Sequence, residues 1–229
     1  NVKREVSDLD AYVKYMKAQV GELMTNYGPI LTLWFDRPQA VSKAQGQEVI
    51  DLARSIQPKV LVNNRINAPG DYVTPEQKIG KFDRNNPWEA CMTVSKNNHW
   101  GWHKNDGVKP LGELIQMLVQ SAGGDGNLLL NIGPRADGTI DDQQAESLKG
   151  IGDWMKVNGE AIYATRGGPY KPGTWGASTC KDNDIFLFIN SFDSNGTFTL
   201  PALDRNILSA KLLSGGKVDV KQDANSLIV

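Results

Sequence analysis

Apolar residues in the first part of the chain alternate between two rhythms. Over residues 8–27, Val13, Met16, Val20 and Leu23 recur at three- and four-residue spacing, the period of one helix face. Ser7 is placed to cap this helix, with Asp10 three residues on as in a capping box, and Tyr27-Gly28-Pro29 stops it. Residues 30–36, ILTLWFD, then form a continuous apolar run ending in a carboxylate, as a parallel strand buried on both faces does. The alternation repeats. Residues 44–57 predict a helix with Val49, Ile50, Ala53 and Ile56 on one face, and 59–65, KVLVNNR, a strand. Residues 66–87 read as a long connection rich in Asn, Pro and Gly. A third strand is expected at 90–94 and a helix at 111–122, with Leu111, Leu114, Ile115, Leu118 and Val119 inward. A fourth strand follows at 127–133, then a helix at 141–158 carrying Leu148, Ile151, Trp154 and Met155.

Strand starts near residues 30, 59, 90 and 127 give roughly one βα unit per 30 residues. The predicted class is α/β: about four βα units, half of a TIM-type (β/α)8 barrel, whose full form takes about 250 residues. A doubly wound open sheet is the competing architecture, but no G-x-G-x-x-G follows the first strand. Past Tyr163 the character changes. Residues 166–179 read as a Gly- and Pro-rich linker, and short strands are expected at 184–190, 196–201, 208–213, 217–221 and 226–229. Asp193-Ser194-Asn195-Gly196 signals a hairpin turn. The expected division is a half-barrel over 1–165 and a small, incomplete antiparallel β-sandwich-like domain over 166–229.

Composition narrows the function classes. Apolar residues are 40% of the 229, enough for a real core, and the net charge of -1 argues against nucleic-acid or polybasic membrane binding. No apolar run approaches the roughly 18 residues that span a bilayer. Cys91 and Cys180 stand far apart without a CxxC, so isolated thiols are expected, not a disulfide framework. The chain begins at Asn1 without a signal-peptide pattern, which leaves the compartment unread.

Candidate chemistry gathers where strands end, the face that carries active sites in (β/α)8 barrels. Asp36 closes the first strand behind Trp34 and Phe35; it reads as a nucleophile or base, or equally as a helix N-cap or a surface turn residue. Arg65 closes the second strand, suited to holding sugar hydroxyls or a carboxylate, or to a structural ion pair. Trp100 and Trp102 in HWGW suggest an aromatic-lined pocket. His99 and His103 share i, i+4 spacing, but no acid or cysteine completes a metal set in the sequence. Gly123-Gly124-Asp125-Gly126 lacks the G-K-[ST] ending and precedes a strand, so it reads as a tight turn and not a phosphate loop.

Taken together and in order, TNYGPILTLWFD, LVNNR, GDYVTPEQ, PWEACMTV, HWGW, GGDGNLLLNIGPRADGTI and GDWMKVNGEAIYAT resemble glycoside hydrolase family 29, the α-L-fucosidases. The resemblance runs from about Ser7 to Thr165, and the β-rich tail is similar to the family's C-terminal sandwich. It implies a retaining mechanism without a cofactor or metal. By motif, Asp36 would be the nucleophile, Trp34 and Arg65 would contact fucose, and Trp100, with Trp102 beside it, would wall the pocket. Glu76 of TPEQ and Glu89 of PWEA both qualify as the acid/base. Glu76 lies on the loop after the second strand, on the active face, whereas Glu89 just precedes the third strand and is expected at the opposite face; Glu76 is therefore preferred. Arg65 and Arg37 would keep Asp36 ionised. The resemblance also implies a preceding half-barrel that supplies fucose-binding histidines, which this sequence does not contain. Strands 30–36 and 127–133 would then be exposed edges, so a homo-oligomer covering them is expected, acting on fucosylated glycans or glycosides.

Overall fold

The computed structural model describes residues 8–36 and 41–229. The protein divides into two compact units, residues 1–75 with 85–89, and residues 76–84 with 90–229.

In the first unit, helix α1 (Leu9–Asn26) is capped by Asp8, whose side chain accepts the Ala11 N–H at 2.9 Å. Ser7, the expected cap, lies outside the described residues. Helix α2 (Lys43–Ile56) begins with a full capping box that the hydrophobic pattern did not reveal: Ser42 and Gln45 satisfy each other's backbone N–H groups. Val49, Ile50 and Ala53 of α2 are fully buried and share a core with Val20 and Met24 of α1. Gln57, just past α2, ties the end of α1 to the first strand. Its amide donates to the Met24 and Gly28 carbonyls and accepts the Ile30 N–H.

Strands β1 (Thr32–Leu33) and β2 (Leu61–Val62) pair in parallel, but each covers only part of its predicted run. The ladder stops because a side chain takes it over. Buried Asn63 accepts the Phe35 N–H at 3.0 Å and donates to the Phe35 carbonyl at 2.8 Å, while the chain past it enters a 3-10 turn, Asn64–Ile66. The 66–87 connection is also more ordered than its composition suggested. Tyr72 bridges Asn63, and Val73 bridges Trp88, both in the parallel sense.

In the second unit, β3 (Glu89–Thr93), whose first residue belongs to the first unit, pairs with β4 (Asn127–Asn131). Helices α3 (Leu111–Gly123) and α4 (Asp142–Asn158) occupy the predicted stretches. Of the expected inward face of α3, Leu114 and Val119 are buried, with Met117 buried beside them, whereas Leu111 is exposed. The turn after α3 forms as read, with the Gly124 N–H returning to the Gln120 carbonyl.

The tail forms two antiparallel three-stranded sheets. One has the order β5 (Arg166–Gly167), β6 (Gly176–Lys181), β7 (Asp184–Ile189). The other has the order β8 (Thr199–Pro201), β10 (Ser226–Ile228), β9 (Lys221–Gln222). Residues 166–179 are therefore not a linker. Small residues in β6 mark close packing: a Cβ on Gly123 of α3 would stand 2.7 Å from that of Ala177. Residues 208–213 form no strand; Leu208 is 95% exposed. The turn at 193–196 is present, its Asp193 carboxylate accepting the Asn195 and Thr197 N–H groups. Both cysteines are free thiols, Cys91 buried and Cys180 partly so. Among the described residues no helix is long and apolar enough to cross a membrane.

Two glycines in helices separate packing from propensity. A Cβ on Gly46 would meet the Ile66 carbonyl oxygen at 2.3 Å, whereas one on Gly21 would meet nothing within 4 Å. Gly46→Ala is expected to destabilise by roughly 1–3 kcal/mol, and Gly21→Ala to stabilise by about 0.5–1 kcal/mol. Urea unfolding of both variants checks this; equal effects would contradict the packing of α2.

Candidate active site

The Asn63 amide that ends the β1 ladder fixes the peptide of Phe35, and so the take-off of Asp36. The next residue but one after Asn63 reaches Asp36 directly: Arg65 Nη1 lies 3.0 Å from Asp36 Oδ1. The opposite edge of the same guanidinium rests on Thr74, with Nε donating to Oγ1 at 2.7 Å and Nη2 to the carbonyl at 3.4 Å. Thr74 in turn donates its N–H and hydroxyl to Asn64 Oδ1, each at 3.2 Å. Arg65 also stacks over Trp34, its Cζ 4.7 Å from the ring centroid. The Asp36 side chain is 55% exposed and that of Arg65 only 17%. The pair thus presents a carboxylate to solvent on a cation that is largely fixed. Arg37 lies outside the described residues.

Glu89 joins this cluster. Its N–H donates to the Val73 carbonyl at 2.9 Å, and its half-buried carboxyl faces Trp34. Burial pushes the Glu89 carboxyl above the usual carboxylate range, and the Trp34 indole N–H partly opposes this. That N–H is itself buried, with no acceptor in full hydrogen-bonding geometry among the described residues. Nearby Tyr72 is raised too, first by burial, and the carboxylates of Glu89 and Asp71 add to the rise; its hydroxyl lies 2.9 Å from Thr32 Oγ1. The expectation that Glu89 starts at the opposite face is corrected: Trp34 follows the C-terminal end of β1, and Glu89 stands beside it. The reason is the extended segment at Tyr72–Val73, which pairs with Asn63 on one side and Trp88 on the other.

Glu76 belongs to the second unit, is exposed, and bridges Cys91 through its backbone. Trp100 and Trp102 belong to that unit as well. They ride on an excursion whose ends are closed by the antiparallel Ser95–Val108 bridge. Two charged groups hold its base. Asp106 accepts from Asn97 at 2.8 Å, the Gly107 N–H at 2.9 Å and the Ser95 hydroxyl, and lies 3.1 Å from His99 Nδ1. Burial alone would raise its carboxyl, but these hydrogen bonds outweigh it and hold it below the usual range. Buried Lys109 donates to the Thr93 and Ser95 carbonyls and to Asn98 Oδ1; its ammonium is lowered by burial.

The tip of the excursion docks on the end of β4 and the residues after it. Asn131 donates to the Trp100 carbonyl at 2.9 Å, and Trp102 Nε1 donates to Asp141 at 3.3 Å. Arg135, 2.7 Å from the same carboxylate oxygen, lies over the Trp102 ring. A Cβ on Gly133 would stand 2.5 Å from the Gly101 carbonyl carbon, so only glycine admits this approach. Both tryptophans remain partly exposed, at 38% and 40%. His99 and His103 have ring centroids 4.8 Å apart. Among the described residues, no group of three or more His, Cys, Asp and Glu side chains is placed to hold a metal ion.

Sequence reasoning missed Asn63, Asn64 and Thr74 as parts of the site, although two of them sit inside LVNNR. Asp106 was also missed. A seven-residue separation from His99 across a loop carries no periodic signal.

Comparison with known proteins relates the chain to one family. The family model described as alpha-L-fucosidase matches residues 1–160. Plasma alpha-L-fucosidase of Pongo abelii is 32% identical over 222 residues, covering 86% of this chain and 46% of that protein. The Homo sapiens plasma alpha-L-fucosidase is 35% identical over 152 residues, covering 59% of this chain and 32% of that protein. Alpha-L-fucosidase isoenzyme 1 from Paenibacillus thiaminolyticus superposes with a TM-score of 0.83 at 30% identity, covering 99% of this chain and 63% of that one. Thermotoga maritima alpha-fucosidase gives a TM-score of 0.75 at 27% identity, covering 96% and 52%. The chain therefore spans less than two thirds of the length of each of these relatives.

The Trp34 indole favours the ionised form of Glu89, so its removal has a predictable sign. Trp34→Phe is expected to move the Glu89 titration midpoint further up in pH. Carboxyl-carbon NMR of the side chain measures it; a downward shift would mean that another group governs Glu89.

Proposed function

We propose, for a chain that belongs to the alpha-L-fucosidase family, that it carries the nucleophile side of a retaining α-L-fucosidase, with Asp36 as the nucleophile. The observation that carries this reading is the Asp36 carboxylate at a strand end, paired with Arg65 beneath Trp34. In the first step an Asp36 oxygen attacks the anomeric carbon while a carboxylic acid protonates the departing glycosidic oxygen. The fucosyl ester is then hydrolysed by a water that the same group, now ionised, deprotonates. Such a pair works at about 5–5.5 Å across the scissile bond. Arg65 holds the Asp36 carboxylate in place and, with Trp34, contacts the fucose. Trp100 and Trp102 wall the pocket. No step calls for a metal or organic cofactor.

Glu76 is the acid/base on the motif reading. A second reading gives that role to Glu89, and a specific observation favours it: its carboxyl is raised by burial, the property that keeps a general acid protonated near neutral pH. The two readings differ in pH dependence. Activity requires the acid protonated, so it falls as pH rises through that group's pKa. With Glu89 in the role, this alkaline limb lies above the ordinary carboxylate range.

The architecture belongs to the proposal as well: a half (β/α)8-type domain over 1–165, a C-terminal antiparallel β-domain over 166–229, and homo-oligomerisation. The proposed substrates are fucosylated glycans or glycosides.

Hydrolysis of an aryl α-L-fucoside tests the activity. Asp36→Asn is expected to lose at least about a thousandfold in kcat. Azide is expected to restore turnover, giving the α-fucosyl azide, in whichever of Glu76→Gln and Glu89→Gln lacks the acid/base. Rescue in neither, or full activity in Asp36→Asn, would contradict the mechanism. Sedimentation of the folded chain as a monomer at micromolar concentration would contradict the oligomer.

A further inference from the structure

Two sequence motifs, VNNR and TPEQ, meet through one residue that the reaction scheme above does not use. Thr74 of TPEQ receives the Nε and Nη2 edge of Arg65 on its hydroxyl and its carbonyl, at 2.7 and 3.4 Å. A guanidinium held along one edge cannot swing; its fork geometry turns the Nη1 corner in a single direction. That corner meets Asp36 Oδ1 at 3.0 Å. The Thr74 hydroxyl accepts from Arg65 and donates to Asn64 Oδ1, which also accepts the Thr74 N–H. The one hydroxyl therefore uses its donor and an acceptor position together, and its rotamer is set from both sides. Asn64 and Arg65 are neighbours in the same 3-10 turn, so the loop closes on itself: Asn64 orients Thr74, Thr74 orients Arg65, and Arg65 faces Asp36.

We propose that Thr74 is a positioning residue for the reaction at Asp36, acting through the Arg65 guanidinium. The proposal deepens the fucosidase reading and rests on it. Among the described residues, the hydrogen-bond partners of Thr74 are Arg65 and Asn64, and it reaches Asp36 through Arg65. Its hydroxyl keeps the Arg65 charge aimed at the carboxylate through both displacement steps, when the Asp36 oxygen loses and then regains its negative charge. A wandering guanidinium would have to be brought back into line in each turnover, which lowers kcat more than binding.

The test compares Thr74→Val, which keeps shape and carbonyl but removes the hydroxyl, with Thr74→Ser, which restores it. Two readouts are taken on the full chain. The first is hydrogen exchange of the Arg65 Nε–H by NMR, which needs no activity. It is expected to be slow in wild type and Thr74→Ser and fast in Thr74→Val. The second is kinetics on an aryl α-L-fucoside. Thr74→Val is expected to lower kcat by about ten- to a hundredfold with little change in KM, the scale of a misplaced catalytic group. In an Arg65→Lys background the same substitution is expected to cost almost nothing more, because the coupling runs through the guanidinium. Unchanged Nε–H exchange in Thr74→Val overturns the proposal whatever the kinetics. So does altered exchange with unchanged kcat, or equal losses in both backgrounds. An inert wild type with the expected exchange pattern counts against the fucosidase reading and leaves Thr74 as the residue that orients Arg65.

Discussion

The two hydrogen bonds between the Asn63 amide and the Phe35 peptide are the constraint on which the first unit's chemistry depends. A parallel ladder fixes every peptide in one repeating direction and leaves a terminal side chain no special orientation. Here a fully buried side chain takes the place of the ladder's next rung. It satisfies both the donor and the acceptor of Phe35, as a buried polar group requires, and so fixes the peptide from which Asp36 departs. The same substitution releases the second strand into the 3-10 turn that carries Arg65. One amide thus delivers an anion and its cation to the same point from two strands.

Around that point two carboxyl groups sit in different surroundings. Asp36 is exposed and paired with a guanidinium. Glu89 is half-buried against the Trp34 indole, and burial holds its proton. Trp34 links the two, with the Arg65 cation over its face and Glu89 toward its N–H. The aromatic excursion of the second unit follows a different design. Its tryptophans are held from below by Asp106 and Lys109 and from the side by Asn131, Asp141 and the bare backbone of Gly133.

Much of this was legible in the sequence, and the parts that were not have common causes. The four helices were readable because their apolar faces repeat over many turns, and Asp36 because an apolar run ended on it. Strands β1, β2 and β4 came out shorter than their runs. An apolar run records burial, whereas a strand needs a partner for each peptide, and at Phe35 that partner is a side chain. β6 was invisible because Gly176, Ala177, Ser178 and Thr179 carry no alternation; their small size serves contact with α3. The placement of Glu89 failed for a reason of pairing. Its neighbour is the extended segment at Tyr72–Val73, hidden in a stretch whose Asn, Pro and Gly content reads as loop.

The central claim is that Asp36 forms a covalent bond to the sugar. A 2-deoxy-2-fluoro-fucosyl fluoride, whose fluorine slows both steps but whose leaving group keeps the first accessible, measures this directly. Mass spectrometry of the treated chain after proteolysis is predicted to find one fluorofucosyl group, carried on Asp36 and absent from Asp36→Asn. A folded chain that gains no adduct, or gains it on another carboxylate, would contradict the account.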